Sequence, residues 1–316
     1  MRFAFFLAGV IAALMAAPAS AQEKDWPSRP VTIVYPFAPG GNDGIVRVLA
    51  RMLSEKFGQP FIVEIRSGGG GAIGSVQVAN APPDGYTLLM TYVGPAVLNK
   101  LLYKSIPYDP DTEFEPVALI GEAPQVIVSS PKLGFKSLAE LIAYGKGNPG
   151  ALTVGHSGAG TMGHLAAALF LSRAGIDGSL VAYRGATPAI ADILSGHIAA
   201  GVPAYIPIVD TVTSLAVTSE ERVGFLPDIP TARESGVDVV ASTWSAIVGP
   251  KGVPGDIVMK LNAAINDYLP SEQGQRQLTV FGMRMLGGPP ERVTDLMARE
   301  KTKWEAVIRS ANIKLD

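Results

Sequence analysis

Short apolar runs that read as strands alternate with segments that read as helices along almost the whole chain. That alternation restricts the fold more than any single residue does. "PVTIVYPF" is followed by "GIVRVLARMLSEKFG", in which Ile45, Leu49, Met52 and Leu53 share one side. "FIVEIRS" leads into "GGGGAIGSVQVANA", a glycine loop opening a helix that the turn "PPDG" closes, and "YTLLMTY" is the next strand. After "FEPVALIGEAPQVIVSS", an apolar run broken at Gly121 and Pro124, the pattern restarts. Helices "SLAELIAYGKG", "GHLAAALFLSRAG" and "TPAIADILSG" then alternate with strands "ALTVGHS", "SLVAYRG" and "HIAAGV". Helices from Pro254 to about Leu269 and from about Pro290 to Ser310 end the chain. Such alternation argues for parallel sheets covered by helices. Two cycles argue for two α/β lobes, with crossings near 116–130 and 241–250. The expected partition is 22–123 with 249–316 for one lobe and 124–248 for the other. The chain has 316 residues, 47% of them hydrophobic, enough for two such cores.

The start of the chain bears on compartment. Arg2, the apolar run "FAFFLAGVIAALMAAPA" and the small residues Ala19 to Ala21 form a signal-peptide pattern, with cleavage expected after Ala21. The run is short and Ala-rich for a membrane anchor. The expected location is the periplasm. There is no cysteine, which excludes disulfides, thiolate metal sites and cysteine nucleophiles together. A net charge of −2 without basic runs argues against nucleic acid as a partner, so any anion site must be built locally.

Three strand-to-helix junctions are rich in glycine and small polar residues: "PFAPGGND", "GHSGAGTMGH" and "YRGATP". In open α/β sheets the ligand crevice lies beyond the carboxyl ends of strands, where such junctions sit. Glycine lets the backbone approach a ligand, and a helix N-terminus offers free N–H groups and about half a positive charge. The same glycines also serve tight turns, but three such loops in one chain favour binding.

Two enzyme readings compete. Gly69, Gly71 and Gly74, and again Gly158, Gly160 and Gly163, fit G-x-G-x-x-G. Arg184 stands where a ribose-binding acid is expected, which suits a 2′-phosphate and keeps an NADP enzyme open. An exported protein meets no ordinary nicotinamide pool. "GHSGA" approximates a nucleophile elbow at Ser157, but Ala159 replaces the second glycine and Asp192 and His197 are only five residues apart. The histidines at 156, 164 and 197 show no metal spacing. His164 reads as a first-turn residue, Asp43 as an acid at a helix start, and Trp244 as core.

The ordered segments "WPSRPVTIVYPFAPGGNDGIVR", "GQPFIVEIRSGGGGAIGSVQVANAPPDGYTLL", "KSLAELIAYGKGNPGALTVGHSGAGTMGHL", "YRGATPAIADILSGHI", "TWSAIVGPKGVPGDIVMKLN" and "ANIKLD" resemble the Bug/TctC family, extracytoplasmic solute receptors of tripartite tricarboxylate transporters. The resemblance runs from Trp26 to Asp316. It implies a two-lobed, type II periplasmic-binding-protein fold with a mostly parallel sheet and flanking helices in each lobe. It also implies a monomeric receptor for a small carboxylate, without cofactor, metal or catalysis, that hands its ligand to a membrane permease. The family's first pocket loop falls on Phe37, Ala38, Pro39, Gly40, Gly41, Asn42 and Asp43. Its second falls on Ser157, Gly158, Gly160, Thr161 and His164, with Thr161 where Ser is common. Its third falls on Tyr183, Arg184 and Gly185, with Arg184 where Lys is usual. One segment departs: "GHIAAGVPAYIPIVDTVTSLAVTS" has Ala199 or Ala200 in place of the family's first acid, and lacks the second near Val202 to Ala204. An ammonium group would want such an acid, so the expected ligand is a carboxylate without an amine.

Overall fold

The computed structural model describes residues 25–39, 43–183, 185–310 and 313. The expected signal peptide, together with Gly40, Gly41, Asn42 and Arg184, lies outside the described residues. The first half contains β1 (Val31–Tyr35), α1 (Asp43–Phe57), β2 (Phe61–Ile65), α2 (Ala72–Ala79), β3 (Thr87–Tyr92), α3 (Asn99–Leu102) and β4 (Phe114–Pro124). Next come β5 (Val126–Ser129), α4 (Leu138–Gly147), β6 (Leu152–His156), α5 (Met162–Ala174), β7 (Gly178–Ala182), α6 (Ala186–Ser195), β8 (Ala200–Gly201) and β9 (Thr213–Val217). The chain then runs through β10 (Ser242–Pro250), α7 (Gly255–Tyr268), α8 (Glu272–Leu278), β11 (Arg284–Met285) and α9 (Glu291–Ser310).

These strands form two sheets, ordered β11-β4-β10-β3-β1-β2 and β7-β6-β8-β5-β9. The architecture is two-lobed α/β, as expected, but each sheet is mixed rather than mostly parallel. β1 pairs parallel with β2 and β3, and β6 with β7 and β8. The strands at the crossing run the other way: β10 is antiparallel to β3 and β4, and β5 to β8 and β9. A strand that returns from the other lobe enters its sheet without a crossover helix, so nothing enforces parallel pairing there.

Local chemistry explains the elements. The β-branched run of β1 suits a strand buried on both faces. α1 buries Ile45, Leu49, Met52 and Leu53, the four residues that share a side at helical spacing. Ser137 caps α4, its hydroxyl accepting from the Glu140 N–H at 3.3 Å. Gly121 does not break the apolar run; β4 continues through it to Pro124. A Cβ at Gly121 would meet the Arg284 carbonyl of β11, so the glycine admits a close neighbouring strand.

Between β4 and β5 stands a single residue, Gln125, 1% exposed. Its N–H reaches the Ala241 carbonyl at 3.3 Å and Thr218 Oγ1 at 3.0 Å. The Thr218 N–H donates to the Gln125 carbonyl at 2.9 Å, and the Ala241 N–H to the Thr218 carbonyl at 2.8 Å. Three distant segments are therefore tied by buried main-chain hydrogen bonds where the chain crosses between sheets. One hydrophobic cluster spans both lobes, including Val34 and Leu89 on one side, Leu165 and Phe170 on the other, and Trp244 and Trp304. α9 packs on β4 and extends to α5 of the second lobe.

Candidate functional site

The second junction is the best defined. β6 ends at His156, and Thr161 caps α5 in an extended conformation. One hydroxyl does three jobs there: Thr161 Oγ1 donates to the Gly158 carbonyl at 2.7 Å and accepts from Ser157 Oγ at 3.2 Å and the His164 N–H at 3.3 Å. That uses its whole capacity of one donor and two acceptor positions. The Leu165 N–H goes to the Thr161 carbonyl at 3.1 Å. The amides of Met162 and Gly163 are then the donors that any α-helix start leaves without an intrahelical partner.

The third junction is bound to the second. The Gly185 N–H donates to the Ser157 carbonyl at 3.2 Å, and the Tyr183 N–H to the His156 carbonyl at 2.9 Å. Gly158 has φ +129°, and a Cβ there would come 3.3 Å from the Tyr183 carbonyl. Only glycine fits without strain where these two loops touch. The Tyr183 hydroxyl donates to Asp192 at 2.7 Å; partial burial and that carboxylate push it up to about 12.

Two histidines lie stacked behind these loops, His156 on His164 with ring centroids 4.4 Å apart. Burial, with His164 alongside, holds His156 down to about 4, and burial also lowers His164. The Gly160 N–H points at His164 Nδ1 at 3.2 Å, which places the ring's proton on Nε2. At neutral pH the junction is thus furnished with amides, hydroxyls and neutral imidazole.

The first junction is aromatic. Phe37 packs edge-on against Tyr35 and Tyr92, with centroids 5.9 and 5.4 Å away, and is half-buried, while Ala38 and Pro39 are exposed. Asp43 opens α1 and pairs with Arg47 at 3.1 Å. Burial raises the Tyr92 hydroxyl well above its ordinary range, with Tyr35 and Asp43 adding to it. Contact with the second lobe passes through 281–282. A Cβ at Gly44 would meet the Phe281 ring, and one at Gly282 the Tyr205 ring. The structure therefore brings Ser157, Gly158, Gly160, Thr161, His164, Tyr183 and Gly185 together, and of the first loop it places Phe37, Ala38, Pro39 and Asp43 between the end of β1 and the start of α1.

The enzyme readings lose their geometry. The Gly69–Gly71 segment is a tight 3-10 turn whose Gly70 carbonyl accepts from Asn99 at 3.1 Å, and Gly74 lets α2 pack on Pro36. Ser157 has Thr161 as its side-chain partner rather than a base. The Asp192, Ser195 and His197 side chains do cluster, but Ser195 and Asp192 both face Nδ1 of His197, at 2.9 and 3.4 Å, so no relay runs through the ring. No three acids or histidines among the described residues are placed to hold a metal. Sequence reasoning overlooked Gln125, whose Oε1 would lie 3.6 Å from a Cβ at Gly163 and whose Nε2 donates to Thr243 at 3.0 Å. Its only signal was its place inside the long apolar run.

Comparison with known proteins settles the class. Residues 45–313 match the model of the tripartite tricarboxylate transporter family receptor, TctC. The chain belongs to this family. Protein BugT of Bordetella pertussis is 36% identical over 309 residues, covering 95% of this chain and 94% of that one. The structure of R. palustris Rpa4515 with adipate aligns with a TM-score of 0.84 at 34% identity, over 92% of this chain and 99% of that one. MatC from Rhodopseudomonas palustris with bound malate aligns with a TM-score of 0.77 at 30% identity, over 90% and 100%. This TctC chain is accordingly a solute-binding receptor of an extracytoplasmic family and not an enzyme. Among its described residues no helix is long and apolar enough to cross a membrane.

Proposed function

We propose that this receptor binds a small dicarboxylate without an amine in the periplasm, and delivers it as a monomer to the permease of a tripartite tricarboxylate transporter. The carrying observation is the junction of two loops at the start of α5, where Gly185 is tied to Ser157 and Thr161 caps the helix. A carboxylate there meets oriented amides and hydroxyls in place of water. Charge-assisted hydrogen bonds contribute about 1.5–3 kcal/mol each, and several suffice for micromolar binding, near −8 kcal/mol. The relatives with adipate and malate support this ligand class. In the pocket we place Phe37, Ala38, Pro39, Gly40, Gly41, Asn42 and Asp43 opposite Ser157, Gly158, Gly160, Thr161, His164, Tyr183, Arg184 and Gly185.

The exclusion of an amine is supported by the segment after α6. Ala200 is buried in β8, Val202 is buried beside α5, and Asp210 is exposed with the Tyr205 hydroxyl 3.3 Å from it. None of these sets an acid beside the Thr161 cap. For the lobes we propose a first boundary at Gln125, where the chain changes sheet, and a second that moves from the expected 248/249 to just before Ser242, so that 242–248 belong with the first lobe. β10 pairs along its whole length in the first sheet, which draws the second crossing back before Ser242.

A thermal-shift screen over adipate, malate, citrate, benzoate, aspartate and glutamate, followed by calorimetry, tests the reading. Micromolar binding of a dicarboxylate is expected. Tighter binding of aspartate or glutamate overturns the exclusion of amines, and silence across the panel overturns the ligand class.

A further inference from the structure

A sizeable cavity lies away from these loops. It encloses about 1140 Å³ between the C-terminal end of α5, the segment around 238–244 and α9. α5 has thirteen residues, so its two ends stand about 18 Å apart. Thr161 caps one end at the loop cluster, and Arg173 lines the cavity at the other. The two sites are therefore distinct.

The cavity is rich in cations. Arg292, Arg299 and Lys303 project from one face of α9, at the spacing that stacks side chains over successive turns. Some of the lining charge is neutralised: Arg233 pairs with Asp238 at 2.8 Å, Arg284 with Glu122 at 2.6 Å and Lys303 with Glu300 at 2.9 Å. Arg292 instead donates to the neutral carbonyls of Leu286 and Gly287, at 2.7 and 3.0 Å. Arg299 has no ion pair or hydrogen bond among the described residues. A second observation points the same way. Trp244 lines the cavity, is 1% exposed, and its indole N–H has no hydrogen-bond partner. A buried donor left without an acceptor is costly and rare in native proteins.

We propose that this cavity is a second binding site, for a compact multivalent oxyanion whose oxygens accept from the Trp244 indole N–H and pair with Arg299 and Arg292. Guanidinium groups hold phosphate and carboxylate oxygens through paired N–H donors, and the indole supplies the directional contact inside. The walls come from both lobes, so the occupant joins α5 to α9.

Calorimetry on the full-length mature chain tests this, with inorganic pyrophosphate and citrate as probes, each with and without saturating adipate. Saturable one-to-one binding of pyrophosphate is expected, weakened at least tenfold by Arg299→Gln and about fivefold by Trp244→Phe, and unaffected by adipate. Citrate binding that persists under adipate supports the site and extends it to carboxylates. Arg299 is exposed and Phe keeps most of the packing, so melting temperatures close to wild type are expected to verify both folds. No saturable pyrophosphate binding, affinity unchanged in both variants, or displacement of pyrophosphate by adipate overturns the proposal.

Discussion

At its first turn α5 meets Ser157, Gly158 and Thr161, a surface of main-chain dipoles and hydroxyls in which every described polar contact is neutral. At its last turn the same helix delivers Arg173 to a cavity where guanidinium groups outnumber their carboxylate partners. The difference lies in what each end requires of solvent. Fixed dipoles pointed at a small anion lose little when water leaves, because they were never free to reorient. Formal charges keep their hydration until a partner of opposite sign replaces it, and in an open cavity they are screened by salt. The loop end is thus suited to gripping a ligand inside a closing cleft, and the arginine end to an anion that arrives already multiply charged.

The largest effect should come from Gly158→Val. A β-branched residue at φ +129° is strained by about 1–3 kcal/mol, and its Cβ would press on the Tyr183 carbonyl where two loops join. Dicarboxylate affinity measured by calorimetry should fall at least 100-fold, while pyrophosphate binding at the far end of α5 stays unchanged. Retained dicarboxylate affinity would remove the loop cluster from the comparison. Thr161→Val comes next. Loss of the cap costs about 1 kcal/mol in chemical denaturation, and affinity should drop about tenfold as Ser157 and Gly158 lose their shared hydroxyl. Thr161→Ser should restore both.

Much of this contrast was written in the chain, though unevenly. The strand and helix alternation marked both lobes because each element carries its own periodicity, and the three glycine junctions stood out because Gly, Ser and Thr concentrate where strands become helices. What escaped detection depends on partners far apart in sequence. β11 is two residues long and exists because Gly121 admits it, and α8 is a polar seven-residue helix with no apolar stripe. Gln125 and Thr218 are 93 residues apart, so their knot leaves no local pattern. Trp244 reads as core and is core; that its N–H is left without an acceptor becomes visible only in the folded chain.

Acid separates the two ends more gently. His156 is held neutral down to about 4, whereas the same side chain takes up a proton near 6.5 when unfolded. Between those values the unfolded state binds more protons, so stability must fall as pH drops through this window and then level off below about 4. Local relaxation around a charged ring limits the loss to about 2 kcal/mol. His156→Phe should flatten the melting temperature between pH 6.5 and 4. At the cavity, hydrogen bonding to Arg233 holds the Asp238 carboxyl below its ordinary value, so that group should stay ionised over the same range. An equally steep acid profile in His156→Phe would locate the sensitivity elsewhere.

The smallest expected effect decides whether the loop end truly needs no cation of its own beside the first junction. Arg47 is exposed and pairs with Asp43 one turn along α1. Exposed pairs at this spacing contribute about 0.3–0.5 kcal/mol, so Arg47→Ala should barely move the denaturation midpoint. If amides and hydroxyls hold the ligand, dicarboxylate affinity in this variant should remain within twofold of wild type at both low and high salt. A fall of tenfold that vanishes at high salt would make Arg47 a charge partner of the ligand, and the two ends of the molecule would then bind anions by the same means.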